Sequence, residues 1–327
     1  MNDTTLFIEA CGPSANRQLI ARLLAADGHI HVLIDNALEA AARVIRDRFS
    51  GLPQLSVYAG TELAGVADVG PQLITLPKDK RFLYHALRGN WRDCPYALLT
   101  SPRTKEELAR FFSFRTQVRL ENYDIFLFRF QDVALLRPLL RSLPAQRAMR
   151  FFGPVENLFW PETDMRYQTQ WYGCHFPPMS YDAFQLLLRI EAGRLPPCWH
   201  AGDEEWKAFR DCYLEDVALV DLCRSLLKRR CRLLLPLSDA EIRERVGKTV
   251  AIAQSFGLES QADIDSFCHL ELDDFPGMHQ HPAVAAILRQ PARFPGHKMY
   301  DLVALGMQGW NEVSLFVEEY QGEEEGK

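Results

Sequence analysis

The spacing of apolar residues changes period several times within the first 150 positions of this chain. After Ser14, a residue that caps helices, Leu19, Ile20, Leu23 and Leu24 recur at helical spacing, and Asp27-Gly28 ends the run. His29–Asp35 is a short apolar run that predicts a buried strand. Ala37–Phe49, rich in Ala and Arg, predicts a helix stopped by Gly51 and Pro53. Pro71–Pro77 predicts a strand bracketed by prolines, which supply no ladder donor and therefore sit at strand ends, and Tyr96–Thr100 predicts a third. Thr104-Lys-Glu-Glu107 has the spacing of a capping box, in which the threonine accepts from the Glu107 amide and the glutamate reaches back. Gln117–Leu120 and Asp124–Phe130 predict two strands joined by Glu121-Asn122-Tyr123. In the second strand Phe126, Phe128 and Phe130 share one face while Ile125, Leu127 and Arg129 share the other. A helix through Leu135, Leu136, Leu139 and Leu140 follows.

From Phe151 to Tyr172 the chain is aromatic-rich, and Pro177-Pro178 and Pro196-Pro197 then break it twice. Helical spacing dominates beyond. Asp203–Arg230 reads as one long helix through Trp206, Phe209, Tyr213, Val217 and Val220. Further helices are expected over Asp239–Phe256, with Gly257 as the stop, and over Ser260–Leu270, Pro282–Leu288 and Lys298–Tyr320, before a frayed acidic tail. No repeat with a period of 20–50 residues is present. This order predicts an α/β N-terminal lobe, a mixed sheet with flanking helices over residues 1–175, followed by an all-α C-terminal lobe over 176–327.

Composition narrows the class. At 47% hydrophobic and 24% charged, the 327 residues can bury a core, which argues against disorder. No stretch reaches the ~18 uninterrupted apolar residues of a membrane span. The opening residues begin acidic and lack the basic region and apolar core of a signal peptide, so a cytoplasmic protein without a membrane partner is expected. The net charge of −6 is uneven: residues 1–160 carry 20 Lys and Arg against 16 Asp and Glu, and residues 161–327 carry 17 against 27. The mild positive balance of the first part is not the clustered basic footprint of a nucleic-acid binder, so no nucleic-acid partner is expected.

Candidate chemistry is sparse. The eight cysteines contain no C-x-x-C pair, which points to reduced thiols rather than zinc. Gly247-Lys248-Thr249 has Ile242 where a phosphate-binding loop needs its first glycine, and a helical stretch precedes it. His29/His31 and His279/His281 each offer two imidazoles, with no third and fourth metal ligand at usual spacing. Cys174-His175 are adjacent, a spacing that seldom aims two side chains at each other. No G-x-S-x-G elbow, H-E-x-x-H or glycine-rich dinucleotide fingerprint occurs. No enzyme, cofactor or metal is therefore expected, and surface for partners remains. Lys228–Arg232, at the end of the long helix, either caps it electrostatically or docks an acidic partner. The aromatic group is core, domain seam or binding groove. The candidate partner-binding residues are Phe151, Phe152, Trp160, Trp171, Tyr172, Arg229 and Arg230.

The order of several segments resembles a family. His31-Val-Leu-Ile-Asp35-Asn-Ala, Val57-Tyr-Ala-Gly60-Thr, Val69–Pro77, Ala97–Ser101, Phe128–Asp132, Leu135–Leu140 and Phe151-Phe-Gly-Pro-Val155 together resemble the N-terminal domain of type VI secretion effector adaptors, or effector chaperones. Ala253–Asp263 and His281–Leu288 resemble, more weakly, the helical lobe often found after it. The resemblance implies a non-enzymatic cytoplasmic adaptor that binds a secreted toxic effector and loads it onto the spike protein VgrG or its PAAR tip. Two other readings stay open: an immunity-type protein that neutralises a toxin, and an enzyme with an unrecognised site between the lobes.

Overall fold

A computed structural model of the protein describes residues 6–9, 13–37, 47–87, 96–166, 169–194, 198–291, 294, 296–305 and 309–317. The Ala37–Phe49 helix (but for its two ends), Cys11, Cys94, Pro196-Pro197, the end of the Lys298–Tyr320 helix and the acidic tail lie outside the described residues. The chain divides into two compact units, residues 1–216 and 217–327. The 175/176 boundary expected from the periodicity falls within the first unit.

Unit 1 is built on a seven-stranded sheet of β1 (Leu6–Glu9), β2 (His29–Asp35), β3 (Gln54–Ser56), β4 (Pro71–Leu76), β5 (Tyr96–Ser101), β8 (Asn157–Thr163) and β9 (Thr169–His175). Their order is β1-β9-β8-β5-β2-β4-β3, and every neighbouring pair is antiparallel. A second sheet, β10-β6-β7, joins β6 (Gln117–Arg119), β7 (Ile125–Leu127) and β10 (Trp199–His200), with one parallel and one antiparallel pair.

Alternate residues of the central strands enter two different cores. Ile30, Val32 and Ile34 of β2 join Ile74, Tyr96, Leu98, Phe159 and Trp171 on one face of the large sheet, with Leu19, Ile20 and Leu23 of α1 (Pro13–Ala25) and Leu83 of α2 (Lys80–Ala86). Leu33 joins Leu73, Leu99, Leu158, Trp160 and Cys174 on the other face. That face is covered from α3 (Lys105–Ser113), α4 (Val133–Ser142), α5 (Ala145–Phe152) and α6 (Tyr181–Ala192) by Phe111, Phe112, Leu136, Leu139, Phe151, Phe152 and Phe184. Burial on both faces is why β2 and β5 read as continuous apolar runs rather than alternating ones. Thr104 and Glu107 form the expected capping box at the start of α3. The last helix of the unit, α7 (Asp203–Tyr213), packs on α4.

Unit 2 is helical. A π turn, Leu214–Ala218, follows α7 and leads into α8 (Leu219–Lys228); α9 (Asp239–Ser255), α10 (Gln261–His269), α11 (Pro282–Arg289), α12 (His297–Val303) and α13 (309–317) follow. Three of these starts have a local cause in a side-chain cap: Ser238 and Glu241 make a capping box for α9, Ser260 accepts from the Asp263 amide at α10, and His281 accepts from the Ala283 amide at α11, ahead of Pro282. Gly257 takes a left-handed φ of 72° as α9 ends, and the amides of Gly257 and Leu258 reach back to the carbonyls of Gln254 and Ala253.

Candidate interaction surface

The aromatic candidates are core. Phe151 and Trp160 are fully buried, and Phe152, Trp171 and Tyr172 are at most 8% exposed. Phe151 meets the edges of Phe128, Phe130, Phe152 and Trp199, while Trp160 stacks on Tyr172 and donates from Nε1 to Glu162 at 2.8 Å. Side chains so placed offer a partner no surface in this structure, and of the alternatives open for them the core is realised. Arg229 and Arg230 do lie at the surface of unit 2. Arg229 pairs with Asp273 at 3.1 Å and Asp274 at 3.8 Å, and with His269, Tyr300 and Val303 it lines an open cleft. Arg230 is the helix stop: its φ is 60°, and the amides of Arg230 and Cys231 return to the carbonyls of Leu227 and Leu226. The basic run thus ends α8 by the same device as Gly257, without the glycine.

The remaining chemical candidates are held in structural bonds. His31 is buried, with Nε2 3.0 Å from the Arg103 carbonyl and Nδ1 3.1 Å from the Thr75 hydroxyl, and burial pushes its pKa down to about 4. Its neutral form satisfies both contacts by donating to the carbonyl and accepting from the hydroxyl. His279 contacts Glu271 at 2.8 Å, and His281 caps α11. Gly247-Lys248-Thr249 lies inside α9, where Lys248 pairs with Glu244 and Thr249 donates to the Arg245 carbonyl. Cys174, Cys223 and Cys268 are buried free thiols, and desolvation pushes them up to about 12, 11 and 12. Among the described residues no group of three or more His, Cys, Asp or Glu is placed to hold a metal ion.

One surface of unit 1 stands out by its chemistry. Among the described residues the β6–β7 hairpin ends its small sheet, which makes β7 the edge strand. Its side chains are apolar and open to solvent: Ile125 is 47%, Phe126 44% and Leu127 56% exposed, and Tyr123 in the turn is 74% exposed. The turn is tight. Tyr123 has φ 70°, Leu120 donates to the Asp124 carbonyl at 3.0 Å, and the Asn122 side chain accepts from the Asp124 amide at 3.1 Å. The Arg119 guanidinium lies over the Tyr123 ring at 4.6 Å.

The hairpin is anchored from behind. Phe126 stacks on Trp206 of α7 with centroids 6.2 Å apart, and Phe128 and Phe130, just past the strand, enter the core against Phe209 and Phe112. The expected aromatic face therefore points mostly inward, leaving Ile125 and Leu127 outside. Arg129 reaches the fully buried Asp35 at the end of β2 in a short ion pair, and Gln131 Nε2 lies 3.4 Å from the same carboxylate. Burial opposes the charge of Arg129, and the bond to Asp35 more than offsets it, raising its pKa. Tyr58 is raised by burial and by the Asp35 charge. On the open face, Gln117 stands opposite Leu127 and also borders a groove of about 620 Å³ lined by Leu55, Leu63, Glu106, Arg110 and Phe114.

The sequence pattern placed Ile125 and Leu127 together on one face but held no sign that the strand would end a sheet, because that depends on pairing with distant residues. No curated protein and no solved structure matches the chain. Residues 30–150, a span that runs from β2 into α5 and includes the whole β6–β7 hairpin, match the family model of a domain of unknown function (DUF4123).

Proposed function

We propose that this protein is a cytoplasmic adaptor that binds a secreted toxic effector and helps to load it onto a type VI secretion spike, the VgrG protein or its PAAR tip. The observation that carries this reading is the apolar, solvent-open edge at Tyr123–Leu127, which lies within the matched family segment. Exposed apolar strand edges are the surfaces that folded proteins ordinarily blunt with charge or cover, and one left open is suited to a protein partner. The resemblance of residues 31–155 to effector adaptors supports the identity of that partner.

Such an adaptor works by binding thermodynamics. It holds its cargo until the spike takes it over, so its contacts with cargo exceed solvent competition without exceeding those made by the assembled spike. The test is co-expression with any toxin-like protein that a neighbouring gene encodes, followed by pull-down with and without the spike protein. Recovery of a ternary complex with the toxin still active is the expected result. A complex in which the toxin is inhibited assigns the protein to the immunity class instead, and no complex with either partner overturns the reading.

A further inference from the structure

The phase of the small sheet fixes which backbone groups of β7 face outward. Phe128 donates to the Thr116 carbonyl at 2.8 Å and Leu120 to the Asp124 carbonyl at 3.0 Å, on either side of the pair Val118↔Phe126. Antiparallel pairs alternate between bonded and non-bonded, so Val118 and Phe126 are the bonded pair, and Ile125 and Leu127 aim their N–H and C=O groups away from β6. That side is the sheet edge, where no strand among the described residues pairs. Four main-chain groups and two half-exposed apolar side chains are thus presented together, beside the groove that Gln117 borders.

We propose that β7 is a docking strand: an extended segment of a partner protein, with alternating apolar residues, adds to the edge as a fourth strand of the β10-β6-β7 sheet. This deepens the adaptor reading and rests on it for the identity of the partner. The occupant is an extended segment rather than a second copy of this chain. A stable pairing of folded copies buries roughly 800 Å² per partner across about 20–30 residues, and β7 offers a strand of three residues. Strand addition draws its affinity from main-chain bonds and its selectivity from alternate side chains, which suits a short edge. The anchoring of Phe126 on Trp206 and of Arg129 on Asp35 holds that edge in place before the partner arrives.

The test uses the full chain with two probes: any toxin-like protein that a neighbouring gene encodes, and a capped synthetic peptide alternating threonine and valine, with a charged residue at each end for solubility. Leu127→Pro removes an outward N–H without removing a β6–β7 bond, and Ile125→Lys or Leu127→Lys blocks the edge while keeping the backbone intact should the proline variant fail to fold. The expected result is slowed hydrogen exchange at the Ile125 and Leu127 amides in the toxin complex and at least tenfold weaker binding by the variants. Toxin binding that leaves both amides unprotected and is unchanged in the variants overturns the docking strand and leaves the adaptor reading standing. If the toxin does not bind at all, the adaptor reading falls, and the peptide decides alone: protection of the same two amides upholds the edge and its absence overturns it. Amide protection that appears only with concentration-dependent dimerisation of the chain overturns the proposed occupant in favour of a second copy.

Discussion

At the scale of single residues, two positions show how far local chemistry can be read and where it stops. Gly257 and Arg230 end α9 and α8 in the same left-handed conformation. The first is legible as a glycine after a helical run. The second is not, because an arginine in that conformation carries the steric cost of its Cβ, and its residue type gives no sign of the helix-ending bonds its backbone makes. Arg230→Gly is therefore expected to stabilise unit 2 by about 1 kcal/mol and Gly257→Ala to destabilise it by a similar amount. Urea denaturation of both variants checks this, and equal shifts of the same sign would refute it.

His31 gives a pH dependence at the same scale. With a folded pKa near 4 and an unfolded value near 6.5, the unfolded chain takes up a proton first as pH falls. Its contribution to stability is thus intact above pH 6.5 and is lost between about pH 6.5 and 4, by up to about 3 kcal/mol. His31→Gln should lose less stability than the parent between pH 7 and 5, measured by urea midpoints. Identical pH slopes would show that His31 is not the group responsible.

At the scale of elements, β2, β4 and β5 were readable and β8 and β9 were not. β2, β4 and β5 are bracketed by Gly28, Pro71 and Pro77, or run as short apolar stretches, and the expected strands coincide with them to within a residue or so. β8 and β9, Asn157–Thr163 and Thr169–His175, carry Phe159, Trp160, Trp171 and Tyr172 toward both faces of the large sheet, so no period-2 alternation marks them. The same aromatic density that looked like a possible groove is the price of a sheet covered on both sides.

The anchoring of β7 is also an element-scale property. Asp35 is fully buried and Arg129 is its cationic partner, so Arg129→Met leaves a carboxylate uncompensated. A loss of about 3 kcal/mol is expected, at the low end for a buried pair because the Arg129 side chain is 35% exposed, with part of it recovered in the double variant Asp35→Asn, Arg129→Met, since removal of both charges is less damaging than removal of one. Additive losses in the double variant would mean that the two residues act separately.

At the scale of the molecule, the described elements beyond residue 176 are helices apart from the short strand β10, but period and packing are different properties. α6 is helical and amphipathic, yet its Phe184 lies against Phe111 at 5.9 Å. Its Glu191 is buried within 3.8 Å of the equally buried Arg115, alongside Arg150 and Arg194. Burial lowers the Arg115 pKa to about 9 despite the opposing pull of Glu191, and the side chain still donates to the Phe151, Phe111 and Arg150 carbonyls. These contacts place α6 in unit 1, and no local pattern announces a contact between residues 115 and 191. The charge asymmetry softens in the same way: residues 217–327 carry 12 Lys and Arg against 17 Asp and Glu, because ten acidic residues between 161 and 216 fall in unit 1.

The buried thiols supply an internal clock for opening of each unit. Cys174 lies in unit 1, and Cys223 and Cys268 lie in unit 2. With pKa values raised to about 11–12, these thiols are ionised to between about one part in a thousand and one in ten thousand at pH 8, against roughly a quarter for an unfolded cysteine, and they are also buried. Alkylation at these positions therefore proceeds through opened molecules, and its rate, resolved by peptide mass, times each unit's excursions in the untouched wild-type chain. Cys174 labelling at a different rate from Cys223 and Cys268, with the latter two in step, is the expected record of two units that open independently; one common rate for all three would mean that the chain comes apart as a whole.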